Sequence, residues 1–263
     1  MAVTEHVLYD NFVLENTFEN FYNGKMDLMD KVTVDNSLVA VAGDKVQVNV
    51  YDAEGDVEEL ARGEGNTSTI KVSYTKNEYE VKLLQEKFEY CDEDIQKDPQ
   101  VLEVGLQKMS AVMFNKANAL AMAEFNKATL SLSVSKFDFD AIADGVAIFP
   151  YNEQGDEPIF LLAHPKDIAE FRKNLKGDLD YVEAYVRTGY IGTINGVSLY
   201  STNSATQGQP ILATNKAVKY FNKAGVSMEQ DRDSDKRINY VYARKVGVFA
   251  FVDATQAVKL VKA

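Results

Sequence analysis

Acidic residues alternate with other types in the stretch DAEGDVEELARG, which begins at Asp52. Asp52, Glu54 and Asp56 take the first, third and fifth places of an EF-hand loop, where carboxylates bind calcium. Such a loop also needs glycine at its sixth place and glutamate at its twelfth. These places hold Val57 and Gly63, so the stretch does not predict a calcium site.

A second acidic run, DRDSDKRINYVY, begins at Asp231. It fails the same test because Lys236 and Tyr242 take the sixth and twelfth places. We interpret its charges as solvated or as paired between molecules. No metal-binding residue is predicted in either run.

Histidine and cysteine, which serve zinc binding and nucleophilic catalysis, are scarce in this chain. No H-E-x-x-H, C-x-x-C or G-x-S-x-G motif accompanies the two histidines, His6 and His164. Pro165 follows His164, which favours a capping or corner role. The acidic neighbours of Cys91, the only cysteine, should raise its pKa and make it a poor nucleophile. We predict no catalytic residue, and a pair of catalytic carboxylates among 40 acidic residues stays an open alternative.

Phosphate-binding loops are absent from the sequence as well. ARGEGNTST contains G-x-G without G-K-[ST], and the glycines of GYIGTING have other spacings. No cofactor is therefore predicted.

Strand-like alternation surrounds the first acidic run. Val46, Val48 and Val50 share one face before it, and Ile70 and Val72 share a face with Tyr74 after it. These flanks predict a long β-hairpin with a charged tip. A third alternating run follows in NEYEVKLLQEKFEY.

The clearest helix lies between Asp98 and about Lys127. Asp98 suits the N-cap and Pro99 the first helical position. Apolar residues recur there at spacings of three and four, which forms one stripe of core residues: Leu102, Leu106, Met109, Met113, Ala117 and Leu120.

The rest of the chain, from Phe137 onward, mixes helices and strands. Asn195-Gly196 predicts a two-residue turn in a hairpin. We expect helices in FDFDAIADGVAIF and KDIAEFRKNL, and strands in PIFLLAHP, QPILATNKAVKYF, AGVSMEQDRD and the C-terminal NYVYARKVGVFAFVDATQAVKLVKA. Without regular βαβ alternation, this order predicts an α+β fold.

Composition excludes several classes of protein. The 263 residues can form a large core, and a net charge of −12 disfavours binding to nucleic acid. A single cysteine allows no disulfide within one chain. No secretory signal or membrane-length apolar run occurs, so we expect no membrane partner and synthesis in a reducing cytoplasm.

Residues 1–37 are polar with scattered aromatic residues. Two interpretations stay open for these rings: they pack on another molecule, or they pack on this chain's own body. The rings are Tyr9, Phe12, Phe18, Phe21 and Tyr22.

Taken together in their order along the chain, the N-terminal segment, the charged hairpin, the long helix and the mixed helices and strands resemble the major capsid protein of tailed bacteriophages. That family has the Hong Kong 97-like (HK97-like, or Johnson) fold. The most telling stretches are GDVEELARG at the hairpin tip, HPKD leading to GTINGVSLY, and EQDRD before the final AVKLVKA. The resemblance covers nearly the whole chain. It implies an N-arm, an extended hairpin called the E-loop, a P-domain with a long spine helix, and an α/β A-domain.

The resemblance divides the chain as follows: N-arm 1–42, E-loop 43–92, P-domain with spine helix 93–136, A-domain 137–222, P-domain return strands 223–247, and C-terminal A-domain strand 248–263. It also implies two sets of residues in contact with neighbouring subunits. The E-loop tip set is Asp52, Glu54, Asp56, Glu58, Glu59, Arg62 and Glu64. The P-domain set is Glu229, Asp231, Arg232, Asp233, Lys236 and Arg237.

The implied function is structural and non-catalytic: self-assembly through pentamers and hexamers into an icosahedral shell. The shell would enclose double-stranded DNA without reading its sequence, form in the host cytoplasm and become part of the virion. Scaffolding, portal and decoration proteins are candidate partners. No long segment precedes the arm, so we expect a separate scaffolding protein or none.

Two alternatives stay open. An encapsulin-like bacterial nanocompartment shell has the same fold and encloses a protein cargo. A carboxylate- or metal-dependent hydrolase would instead be a monomer with inward-pointing acidic residues.

Overall fold

The computed structural model describes residues 14, 17–18, 28–39, 43–54, 58–149, 158–175 and 193–262. The α-helices of these residues are α1 (Asp92–Lys97), α2 (Val101–Phe125), α3 (Phe139–Ala147) and α4 (Pro165–Leu175). The strands are β1 (Thr33–Asp35), β2 (Lys45–Glu54), β3 (Lys71–Glu80), β4 (Lys82–Cys91), β5 (Leu130–Val134), β6 (Phe160–Ala163), β7 (Thr193–Ile194), β8 (Val197–Ser201), β9 (Ile211–Ala213), β10 (Val218–Asp233), β11 (Ile238–Phe251) and β12 (Ala257–Lys262). Short 3-10 helices lie at Leu28–Lys31 and Ala254–Gln256.

The long hairpin of β10 and β11 forms the centre of a four-stranded sheet in the order β1-β10-β11-β4. Helix α2 packs on this sheet: Met109 and Met113 of the helix share a buried cluster with Val241 and Ala243 of β11. The predicted stripe is confirmed, since all its members but the partly buried Leu120 are buried.

The long helix begins at Val101, two residues after the predicted first helical residue, Pro99. Asp98 and Pro99 lie between α1 and α2, where the Asp98 side chain accepts a hydrogen bond from the backbone of Gln100 (3.0 Å). The backbone N–H of Asp98 is already bonded to Asp94, in the last turn of α1. Asp98 therefore joins the two helices: its N–H ends α1, and its carbonyl accepts a hydrogen bond from Val101 (3.2 Å), while the N-cap of α2 is Gln100.

A six-stranded sheet, in the order β5-β12-β9-β6-β8-β7, forms the second layer of core. Helices α3 and α4 pack against it, with Phe137 stacked on Phe171 of α4 at 5.1 Å between ring centroids. The predicted hairpin turn is confirmed: Asn195 and Gly196 have φ angles of 50° and 78°, as a two-residue turn of this kind requires.

Two predicted strands are one in the structure. VKYF and AGVSMEQDRD belong to the single strand β10, with irregular register to β11 between Asn222 and Ser227. Pairing with β11 continues on both sides of this bulge. The rest of the predicted strand QPILATNKAVKYF contributes the separate strand β9, which ends at Ala213.

The sheet pairings cut across the predicted domain boundaries, which stay a prediction. Strand β4, assigned to the E-loop, pairs with β11 in the four-stranded sheet. Strand β5, assigned to the P-domain, pairs with β12 in the six-stranded sheet.

Part of the N-terminal segment packs on the chain's own body. Leu14 and Phe18 are buried in the cluster beneath α2, beside Leu102 and Leu106. The other aromatic residues of that segment, Tyr9, Phe12, Phe21 and Tyr22, lie outside the described residues. None of the described helices has the length and apolar character that crossing a membrane requires.

Candidate functional site: surfaces for subunit contact

The hairpin of β2 and β3 is a separate two-stranded sheet fixed to the body at one end. At its base, Val46 and Val48 are buried against Phe221 of β10 and Val248 of β11. The Tyr79 hydroxyl donates a hydrogen bond to the carbonyl of Phe251 (3.1 Å). Burial and the nearby Glu124 carboxylate raise the pKa of Tyr79, which keeps this donor protonated.

The outer half of the hairpin has a different character. Ile70, Val72 and Tyr74 are 60%, 63% and 56% exposed. Apolar side chains on a ribbon held only at its base gain little from their own subunit, because a two-stranded hairpin alone is marginally stable in water. The exposed face is therefore a candidate for contact with another molecule.

The tip forms a small network of its own. Glu58 accepts hydrogen bonds from the backbone (2.8 Å) and the hydroxyl of Thr67, and these bonds hold its pKa below the ordinary value of 4.5. Glu64 accepts a bond from the backbone of Ala61 (3.2 Å). These contacts shape the tip without tying it to the body.

The predicted tip residues separate into four groups. Asp52 and Glu54 lie in β2, opposite Ser73 and Lys71, and Asp56 lies outside the described residues. Glu58 and Glu64 form the bonds given above. Glu59 and Arg62 have no salt bridge within the described part of the chain.

The P-domain set is held mainly by bonds within the chain. Arg232 donates to Asp92 (2.7 Å), and Asn239 donates to the other oxygen of that carboxylate (2.7 Å). Arg237 forms a salt bridge with Glu93 (2.8 Å). Together these contacts, which we call the α1 clamp, fix the turn between β10 and β11 to helix α1.

The other members of the set are also engaged locally. Glu229 binds Arg244 (2.7 Å), and Lys236 pairs with Asp233 at 3.5 Å. Asp231 accepts a bond from the backbone of Arg232 (2.8 Å). The subunit-contact role of both sets stays a prediction.

Sequence reasoning missed Asp92, Asn239 and Arg244 as partners of these charges. Each partner comes from another strand or from α1, and only the register of β11 with β4 and β10 places it. No spacing in the sequence reveals that register.

The described histidine and cysteine, whose side-chain types can serve catalysis or metal binding, lie in the following surroundings. The His164 ring accepts a hydrogen bond from the backbone of Lys166 (3.2 Å), which confirms its predicted capping role at the start of α4. Desolvation, reinforced by Asp94, Glu93, Glu89 and Asp92, raises the pKa of Cys91. Within the described ranges, no group of three or more histidine, cysteine or acidic side chains could hold a metal ion.

Comparison with known proteins identifies the fold. No protein-family model and no curated protein matches the sequence. Three of the similar solved structures are a virus-like particle from Pyrococcus furiosus (14% identity, TM-score 0.65, 95% of this chain and 98% of that one), the capsid of cyanophage P-SCSP1u (12%, 0.62, 100% and 92%) and the holo-SrpI encapsulin complex of Synechococcus elongatus PCC 7942 (14%, 0.64, 99% and 91%). The predicted α+β, HK97-like capsid fold is confirmed.

Proposed function

We propose that this chain is the major capsid protein of a tailed double-stranded DNA phage, and that its copies assemble into the icosahedral head. The observation that carries this proposal is end-to-end similarity to shell subunits: the cyanophage capsid protein matches the whole of this chain. The hairpin adds support, because among the described residues its base is buried against the body while the apolar side chains of its outer half are exposed.

Assembly through pentamers and hexamers follows from this proposal, as does a place in the virion. We further propose that the protein is non-catalytic and that scaffolding, portal and decoration proteins are its candidate partners. The charge of −12 fits a shell whose subunits do not grip the packaged DNA, since like charges repel at long range.

Electron microscopy of the purified protein tests the proposal. The chain is expressed alone and together with the proteins encoded beside it, and particles are examined after nuclease treatment. We expect closed icosahedral shells, and protected double-stranded DNA when the packaging proteins are present. A monodisperse monomer at high concentration would overturn the proposal.

An encapsulin-like nanocompartment is the second candidate, and similarity to the holo-SrpI encapsulin supports it. This function predicts particles that enclose one defined protein and never DNA. Mass spectrometry of purified particles, combined with a nucleic-acid assay, separates the two functions. No described group of side chains favours the hydrolase alternative, which would need an activity lost on chelation.

A further inference from the structure

A partly enclosed cavity of about 150 Å³ lies between the C-terminal half of α2 and the four-stranded sheet. Most of its lining is apolar and includes Leu84 of β4, Leu120 of α2 and Phe249 of β11. We call this space the α2–sheet cavity. It lies within one chain and is separate from the outer half of the hairpin.

Small residues leave the space open and packed rings form its floor. Ala117 and Ala123 of α2 and Gly247 of β11 line the cavity. A Cβ atom added at Gly247 would overlap the Tyr220 hydroxyl group, so glycine lets this phenol lie against the strand. The Tyr220 ring is 5% exposed and its centre lies 4.7 Å from that of Phe249. The buried floor therefore includes a hydroxyl group in a fixed position.

Two ammonium groups also belong to the lining, from Lys82 of β4 and Lys245 of β11. Lys82 pairs in register with Gly247, two residues along β11 from Lys245, so the two lysines are diagonal neighbours on one face of the sheet. Diagonal neighbours are roughly 7–8 Å apart, which lets two long side chains approach one small ligand. The Lys245 ammonium group also lies 5.4 Å from the centre of the Tyr220 ring, beside the floor.

Positive charge is in excess around the cavity. The carboxylate in the lining is that of Glu124, and both its oxygens accept hydrogen bonds at 2.7 Å from Lys127, which lies outside the lining. Lys82 forms no salt bridge with any residue in the described part of the chain. Like charges at neighbouring strand positions destabilise a sheet. An anion between the two lysines would offset this repulsion.

The size of the cavity limits the kind of anion that fits. An apolar cavity of ~150 Å³ holds a molecule about as large as benzene. A bare inorganic ion would leave the apolar lining uncovered, and a nucleotide or a long-chain fatty acid is too large. A carboxylate with a compact apolar body matches both the charge and the lining.

We propose that the α2–sheet cavity is a binding site for a small carboxylate with an apolar body of about the size of benzene. Its carboxylate accepts hydrogen bonds from Lys82 and Lys245, and its body packs on Leu120 and Phe249. The bound ligand contacts α2, β4 and β11 together, so it stabilises the packing of the long helix on the sheet. This inference goes beyond the proposed shell function and does not depend on it.

Isothermal titration calorimetry with benzoate tests the site on the unassembled full-length chain. We expect one benzoate per chain and a Kd in the millimolar range or tighter, as a ligand of about nine non-hydrogen atoms allows. Benzyl alcohol keeps the ring without the charge, and inorganic phosphate keeps a charge without the ring. Each should bind at least about tenfold more weakly than benzoate.

Substitution of the lysines tests the charged part of the site. Lys82→Met and Lys245→Met remove one charge each and keep the length of the side chain. Each should weaken benzoate binding about tenfold or more, because a hydrogen bond to a charged group is lost. Lys116→Met is the matched control, since Lys116 is exposed on α2 and lies outside the lining. It should change the Kd less than about twofold.

Substitution of an alanine tests the apolar part while both lysines stay in place. Ala123→Leu fills space in the cavity and should abolish benzoate binding. Ala119→Leu is the control, because Ala119 is exposed one turn earlier on α2 and outside the lining; it should bind benzoate like the unmodified chain. Circular dichroism shows that each variant folds.

These measurements support or overturn the inference without reference to assembly. Saturable benzoate binding that is weakened by both lysine substitutions and lost in Ala123→Leu supports it. Absence of saturable binding overturns it, and so does binding that survives all three substitutions, because the ligand then lies elsewhere. Equal affinity for benzyl alcohol would contradict an anion site. All titrations use unassembled subunits, so none of these outcomes bears on the shell function.

Discussion

As a member of the α1 clamp, the Arg232 side chain forms an ion pair within its own chain and is not a solvated charge. Its side chain is 25% exposed and that of its partner Asp92 is 21% exposed. Replacing Arg232 leaves the Asp92 carboxylate partly buried with fewer hydrogen bonds, and replacing Asp92 does the same to the Arg232 guanidinium group. We therefore expect Arg232→Gln to lower the free energy of unfolding by about 1–3 kcal/mol.

Urea unfolding of unassembled subunits measures this loss, with sedimentation used to confirm that they are monomers. Lys236→Gln is the matched control, because the Lys236 side chain is 65% exposed and pairs with Asp233, three residues earlier. It should cost less than about 0.5 kcal/mol. Equal costs for the two substitutions would show that the clamp does not stabilise the subunit.

Glu58 gives the hairpin tip a dependence on pH. The hydrogen bonds from Thr67 lower its folded-state pKa beneath 4.5, so they favour the ordered tip above that value. This contribution is lost as the pH falls through the lowered pKa and the carboxyl group takes up a proton. The protection factors of residues 58–67, which correct hydrogen exchange for its slower intrinsic rate in acid, should therefore fall as the pH drops through this pKa.

Thr67→Val removes the hydroxyl bond and should return the pKa of Glu58 towards 4.5, as followed by NMR titration of the side-chain carboxyl group. Thr69→Val is the control on the same segment. An unchanged Glu58 pKa in Thr67→Val would show that the bond from the Thr67 hydroxyl does not form in solution.

The local behaviour of single residues could be predicted from the sequence better than the pairing of distant residues. The acidic neighbours of Cys91 predicted its raised pKa, and the position of His164 before Pro165 predicted its capping bond. The partnership of Arg232 with Asp92 spans 140 residues and depends on strand register. Sequence neighbours determine the local surroundings of a residue, whereas the fold determines which residues distant in sequence form a pair.

Among the elements, α2 shows what periodicity determines and what it leaves open. Its apolar spacing identified the buried face, because a helix returns to the same side every 3.6 residues. Its start was misplaced because nothing in the sequence indicated that α1 ends on the same aspartate. Capping preferences predict which residues can begin a helix, and the hydrogen bonds formed in the structure decide which residue does so.

Contacts at its base hold the hairpin of β2 and β3 in one orientation relative to the body of the chain. Tyr79→Phe removes the bond to the Phe251 carbonyl while keeping the ring in place. We expect a loss of about 1 kcal/mol, confined to the opening of the hairpin. The amides of β3 should then exchange roughly fivefold faster, since 1–2 kcal/mol changes a population by a factor of 5–30.

Hydrogen exchange with mass spectrometry measures this effect on the unassembled subunit. Ser73→Ala, an exposed change in the same strand, is the control and should leave the exchange rates unaltered. Faster exchange throughout α2 and β11 in Tyr79→Phe would contradict a local role, because it would mean that the whole subunit is destabilised.

At the scale of the whole molecule, the proposed shell function assigns stability and assembly to different parts of the chain. The buried clusters lie beneath α2, around the six-stranded sheet and at the hairpin base. The exposed apolar residues of the hairpin, Ile70, Val72 and Tyr74, lie outside them. Substitutions in the first group should unfold the subunit, and those in the second should prevent shells from forming.

Replacing residues 55–70 by Asn-Gly tests this separation most directly. Glu54 and Lys71 are the last paired residues of the hairpin, so a two-residue turn can close it there. The subunit should unfold at the same urea concentration as the unmodified chain, because the removed segment has no described contact with the buried clusters. Particles should be absent by electron microscopy, since the tip residues and Ile70 are lost. A variant that still assembles into closed shells would show that the hairpin tip has no part in joining subunits.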